Sequence, residues 1–184
     1  MTDIEQANEK VNQLTDKDVR IVYLPPATVA AAHYIGSEPE SGAFAILDAF
    51  ATEANLVQVY PAARNYGFNC PNPGMREDGQ YGYEAWLTIP EDMDVPAPLI
   101  KKQFAGGLYA SHTIFPEDLA GTGWHRLWHW AENSQLWVMN MDDSTGENMN
   151  GLLEERLNYF ALHSGQDFTQ FDLLMPIRQR VNVQ

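Results

Sequence analysis

The chain has 184 residues, 45% of them hydrophobic, and a formal net charge of −14 from 25 acidic and 11 basic side chains. That length suits one domain or two small halves sharing a core, and the apolar content excludes a disordered chain. The charge leaves no basic surface to displace counterions from phosphates, which argues against direct nucleic-acid binding, and a single cysteine, Cys70, excludes an intrachain disulfide and a cysteine-based metal cluster.

Residues 1–17 are polar and acidic, without the apolar stretch of a signal peptide. No segment reaches the roughly 18 consecutive apolar residues of a membrane helix, so a cytoplasmic protein with no membrane association is expected. Ile4, Ala7, Val11 and Leu14 recur at helical spacing and predict a short amphipathic helix over 2–14, within an N-terminal lead (1–17) to a domain at 18–184. Val19 to Leu24 reads as a strand, broken by Pro25-Pro26, with Thr28 to Ile35 as its continuation or its partner. Adjacent prolines cannot sit in a paired central strand, so they mark a bend or an edge.

Phe44, Leu47, Ala51 and Ala54 predict a helix over Gly42 to Leu56. A strand is expected over 58–69, a turn-rich loop over 70–80, and a strand from Tyr81 to Ile89, ended by Pro90 and an acidic, proline-rich linker to Pro98. Leu99 to Phe115 reads as two strand segments around Gly106-Gly107, and Trp124 to Leu136 as a helix. Leu152 to Phe160 fits either strand or helix, and Phe171 to Ile177 is a last strand whose pairing Pro176 should stop.

The second half echoes the first. Phe44, Leu47, Phe50, Ala51 and Leu56 fall on Trp124, Leu127, Trp130, Ala131 and Leu136, each 80 residues on, and Glu84-Ala85-Trp86-Leu87 is echoed by Asp172-Leu173-Leu174-Met175. A duplicated unit explains this order. The expected fold is therefore α+β: two pseudo-symmetric strand–helix–strands halves (about 18–95 and 96–184), with antiparallel sheets and a ligand cleft between them.

Alternation along Tyr81 to Ile89 gives the candidate site. Tyr81, Tyr83, Ala85, Leu87 and Ile89 share an apolar face suited to packing on helices, whereas Gly82, Glu84, Trp86 and Thr88 share the other. Glu84 thus projects beside an indole, next to a glycine that should leave room for a ligand. Carboxylate and ring together suit a cation, through Coulomb attraction and a cation–π contact. Tyr34, Phe68 and Tyr109 are expected to border the same cleft, with Trp128 as a further wall, since Trp124, Trp128 and Trp130 cannot all face one way on a short helix. His125 and His129 form an i, i+4 pair, but Arg126 stands where a zinc hydrolase motif has its glutamate; solvated helix-face histidines are expected, with no metal and no cofactor.

The order of these elements resembles the GyrI-like small-molecule-binding family, which includes the effector-binding domains of AraC/Rob-type and BmrR-type regulators. The residues that carry the resemblance are Val19 to Gly36, Tyr81 to Pro90, the Trp-containing second helix and Phe171 to Ile177, spanning roughly 18–180. It implies a pseudo-two-fold α+β fold and a junction cleft for lipophilic, often cationic compounds, in a bacterial multidrug-binding context. A strand glutamate would neutralise the cation there and aromatic rings would sandwich it. Where several relatives carry a closing glutamate, this chain has Asp172, a further ligand-binding candidate.

Three functions follow, the second and third being what the resemblance implies, since some stand-alone relatives hydrolyse such compounds and others bind DNA gyrase. The leading one is a stand-alone sensor or sequestering protein for lipophilic, cationic small molecules, with Glu84, Trp86, Tyr34, Phe68, Tyr109, Trp128 and Asp172 as ligand contacts. The second is a hydrolase of strained cyclopropane-containing alkylating natural products, with Glu84 as acid or base and Tyr109 as proton donor. The third is an interaction module for DNA gyrase or a regulator. Residues 1–17 are too few for a helix-turn-helix, so any regulatory role is expected to run through a protein partner.

Overall fold

Why the sheet curls follows from two short linkers. The computed structural model describes residues 13–115, 122–141, 151–162 and 170–181. Its strands are β1 (Arg20–Leu24), β2 (Ala27–Gly36), β3 (Asn65–Asn69), β4 (Tyr81–Ile89), β5 (Ile100–Phe104), β6 (Gly107–Ile114), β7 (Trp137–Met139), β8 (Leu153–Arg156) and β9 (Phe171–Gln179). The helices are α1 (Pro39–Glu53), α2 (Leu56–Val59), α3 (Thr122–Asn133) and α4 (Tyr159–Leu162).

All recorded pairings are antiparallel, in the order β1-β6-β9-β8-β3-β4-β2-β5, with β7 beside the far end of β9. β1 and β5 are the outer strands of this order, yet Pro25-Pro26 alone joins β1 to β2, and Ala105-Gly106 alone joins β5 to β6. Two linker residues leave three residue steps between the strand ends, at most about 11 Å. The sheet therefore curls until its two ends meet, and β2 is neither a continuation nor a partner of β1. Proline suits the crossing, having no N–H that would need a ladder partner. At the crossing itself Gly106 has φ +69, and a Cβ there would lie 2.2 Å from the Leu24 carbonyl oxygen.

One face of the sheet packs on helices. In the first half, Ala30 and Ala32 of β2 and Tyr83, Ala85, Leu87 and Ile89 of β4 meet Ala43, Leu47, Phe50 and Ala51 of α1. In the second, Ala110 and Ile114 of β6 and Leu173, Met175 and Ile177 of β9 meet Leu127, Trp130 and Ala131 of α3. The two helices bury the same positions: Ala43, Leu47, Phe50 and Ala51 against Gly123, Leu127, Trp130 and Ala131, each 80 residues on. The repeat fails at its last pair, since Leu56 is buried and Leu136 is 60% exposed. β1 and β5 are exchanged between the halves: β1 pairs with β6 and β5 pairs with β2.

Several boundaries differ from the sequence reading. Pro39 takes an early position in α1, where its missing N–H has no partner to lose, so that helix starts before Gly42. Asn55, in the left-handed region at φ 49, ends it, and Leu56 begins a separate turn. The strand expected over 58–69 is only Asn65–Asn69. The second helix stops at Asn133, leaving Trp137–Met139 to pair with β9. Residues 152–160 are both strand and helix, divided at Asn158, φ 57. Pro176 does not stop β9. It falls where β8 gives way to β7 as neighbour, and its carbonyl still accepts from the Asn140 N–H. The helix expected over 2–14 lies outside the described residues apart from its end, where Leu14 is buried.

The crossing yields a test. Gly106→Ala should cost ~2 kcal/mol or more, from the left-handed backbone and the overlap with Leu24, and lower Tm by at least roughly 4–8 °C. Gly74→Ala is the control, because Gly74 has φ +82 but open space around it. It should cost about 1 kcal/mol. Equal thermal shifts for the two variants would show that the crossing is not tight.

Candidate functional site

The other face of the sheet carries no described helix and gathers side chains from both halves. Val29 and Ala31 of β2, Tyr66 and Phe68 of β3, Trp86 of β4, Tyr109 of β6, Leu153 of β8 and Leu174 of β9 form one buried cluster, with Phe104 packed against it. Phe68 meets the Trp86 ring edge-on at 4.9 Å, Phe104 lies 5.7 Å from both Trp86 and Tyr66, and Tyr109 lies 6.5 Å from Phe104. Curling makes this face concave, and the aromatic side chains line it.

Glu84 sits on this face and is 6% exposed. The Trp86 indole N–H donates to its Oε1 at 2.6 Å, and the Lys102 ammonium donates to the same oxygen at 2.5 Å. Asp172 holds the matching place on β9, also buried. Its carboxylate accepts from Arg20 (2.5 Å) and Ser111 (3.0 Å) on Oδ2 and from Thr113 (2.6 Å) on Oδ1. Between the two, Arg64 grips Glu155 in a two-pronged bond, 2.6 Å on each side, with its guanidinium over the Tyr66 ring at 5.3 Å. Glu84, Asp172 and Glu155 are thus each met by a cation. Burial pushes the Tyr109 hydroxyl up to about 12, so it stays protonated at neutral pH and can donate a hydrogen bond.

The structure brings Glu84, Trp86, Phe68 and Tyr109 together and sets Asp172 on the same face. Tyr34 is not with them: its ring lies against Gly36 and Gly42, on the side of the sheet that α1 covers. Trp128 is 38% exposed and donates to Glu132 one helical turn on, away from the cluster. Trp124 and Trp130 donate to Glu154 and Asp16. His125 and His129 lie exposed on α3. The space expected beside Gly82 is filled by backbone, since a Cβ there would lie 1.9 Å from the Cys70 carbonyl oxygen.

Sequence reasoning missed Tyr66, Phe104, Lys102, Arg20, Arg64 and Glu155. Tyr66 was legible, being two residues from Phe68 on the same strand and therefore on its face. The cations were not, because which carboxylate a lysine or arginine reaches depends on strand order.

A curled antiparallel sheet with helices on one face is the fold of a GyrI-like effector-binding domain. Residues 20–177 match the Cass2 family, integron-associated effector binding protein, and the chain belongs to that family. No curated protein matches the sequence. Among solved structures, the chain is similar to EcmrR in an EcmrR–DNA complex, at 10% identity and a TM-score of 0.61, over 97% of this chain and 63% of that one. The C-terminal domain of EcmrR alone gives 9% identity and 0.59, over 88% of this chain and 98% of that one. A hydrolase from Listeria innocua gives 11% and 0.56, over 94% and 98%. At such identities the likeness is one of fold.

On the helix side, at the seam between the halves, the half-buried carboxyl of Glu154 accepts from the Tyr83 hydroxyl (2.9 Å) and the Trp124 indole (3.2 Å). Burial raises its pKa above 4.5. A raised folded-state value means that the fold holds the proton more tightly than the unfolded chain does. Stability from this group therefore falls as pH rises from about 4.5 through the folded value. Glu154→Gln should be more stable than the natural protein at pH 7, with the gap closing towards pH ~4.5, as read from paired thermal melts. A gap that does not change with pH would contradict this.

Proposed function

We propose that the chain binds lipophilic, cationic small molecules on the concave face of its sheet, as a sensor or a sequestering protein. The observation that carries this reading is Glu84, a buried carboxylate set among Phe68, Trp86 and Phe104 and hydrogen-bonded by the Trp86 indole. A cation with apolar substituents gains there in two ways: its charge meets a carboxylate of low solvent exposure, and its hydrocarbon surface leaves water against the rings. Family membership supports a small effector as the ligand. The Tyr109 hydroxyl supplies a donor that would orient a polar substituent.

The test is a thermal-shift panel of aryl-ammonium cations, their neutral isosteres and matched anions, on the natural protein and on Glu84→Gln. At about 100 times its dissociation constant a ligand adds roughly 2.7 kcal/mol. Cations should stabilise selectively, and Glu84→Gln, which keeps an acceptor for the indole, should lose that selectivity. Equal stabilisation by cations and neutral isosteres would remove the role assigned to the charge. Recovery of the ligand chemically unchanged after incubation separates binding from hydrolysis.

A further inference from the structure

Building on that reading of the Glu84 site, we infer that Lys102 is a built-in occupant of the ligand's cation position, and that a cationic ligand binds by exchanging with it. Lys102 reaches Glu84 from β5, the outer strand at one end of the sheet order, and its Nζ lies 2.5 Å from Oε1. The lysine side chain is 38% exposed and the glutamate side chain 8%, so one partner borders water while the other is enclosed. Lysine carries a compact charge on a flexible four-carbon stem, and that stem can swing the ammonium into solvent without moving the strand. Phe104, two residues along and on the same face of β5, holds the strand in place against Trp86 and Tyr66.

The matching carboxylate in the other half shows what a fixed pair looks like. Asp172 is held by Arg20, Ser111 and Thr113 together, with both oxygens engaged. Arg20 Nη2 also lies 3.0 Å from both of those hydroxyl oxygens, so the cation is surrounded as well as the anion. Glu84 receives an ammonium and an indole, both on one oxygen. Exposure does not separate the two pairs, since the Arg20 side chain is 57% exposed; the number of groups holding each carboxylate does, and it sets a locked structural ion pair against an exchangeable one.

Exchange has an energetic logic. Removing one member of a buried pair leaves an uncompensated charge, which is strongly unfavourable. Replacing one cation by another avoids that state and keeps the charge of the face constant. It also filters ligands. A tethered amine is a standing competitor that any incoming cation must outbind, and a small hydrated cation brings no apolar surface with which to do so. A cation that also covers the rings does. Lys102 is thus a specificity-determining residue that demands hydrophobic surface of any cationic ligand.

The experiment compares the phenyltrimethylammonium ion with tert-butylbenzene, its neutral isostere, and with ammonium chloride. Binding is measured by calorimetry on the natural protein, Lys102→Met, Glu84→Gln and the double variant. Lys102→Met keeps the apolar stem and removes the competitor. Affinity for phenyltrimethylammonium should rise roughly tenfold, ammonium should bind detectably only to Lys102→Met, and Glu84→Gln should abolish both effects. A second measurement uses the natural protein alone, so it stands even if Lys102→Met does not fold. Acylation of Lys102 by an amine-reactive ester, followed by mass spectrometry, should speed up several-fold when phenyltrimethylammonium saturates the site, while the neighbouring, exposed Lys101 stays unchanged. Glu84-dependent binding of equal strength with and without Lys102, at unchanged Lys102 reactivity, overturns the exchange and leaves the site. Absence of any Glu84-dependent binding in both backgrounds overturns the site and the exchange together.

Discussion

Two linkers of two residues each, Pro25-Pro26 and Ala105-Gly106, cross in backbone contact where Gly106 lies against Leu24. That contact closes the two ends of the sheet order on each other, and the rest of the architecture depends on it. With longer linkers the sheet could open towards flatness, and the inner face would lose its enclosure. With the crossing tight, β5 is held close to the inner face, and Lys102 and Phe104 are delivered to side chains of β3 and β4. The same crossing exchanges β1 and β5 between the halves, so neither half is complete without a strand from the other.

The duplicated halves divide labour between the faces of the sheet. On the helix side the duplication is conservative: both helices bury small and large apolar residues at the same positions. On the inner side it diverges. Both halves place an acid at the corresponding point of a central strand. One acid is bound into a network of arginine, serine and threonine, and the other is left with a lysine and an indole. Packing tolerates little variation because each methylene is felt, whereas polar partners can be changed around a constant carboxylate. Divergence of function is expected on the face where chemistry, and not volume, is under constraint.

Between the halves the carboxylates of β8 illustrate the same separation. Glu154 points to the helix side and is satisfied by Tyr83 and Trp124, one from each half, so it joins the two cores. Glu155, its neighbour, points to the inner face and is held by Arg64. A strand's period of two sends consecutive acids to opposite faces, one to a structural seam and one to the inner face.

The element types and their order were legible along most of the chain, because periods of 3.6 and 2 are written into apolar spacing and survive without tertiary context. Alternation along Tyr81 to Ile89 alone put Glu84 beside Trp86 and opposite the helix-packing face, as found. The 80-residue echo between helices was likewise visible as sequence. Alternation was equally available for Tyr66, but the strand around it was drawn too long, and Asn55 in a left-handed conformation is not signalled by apolar spacing. What only the tertiary structure decided is pairing across distance. That β1 joins β6, that Tyr34 turns towards α1, and that Lys102 and Arg20 meet Glu84 and Asp172 all follow from strand order and from the curl. Local spacing fixes which side of a strand a residue takes; only closure of the whole sheet fixes which charge it finds there.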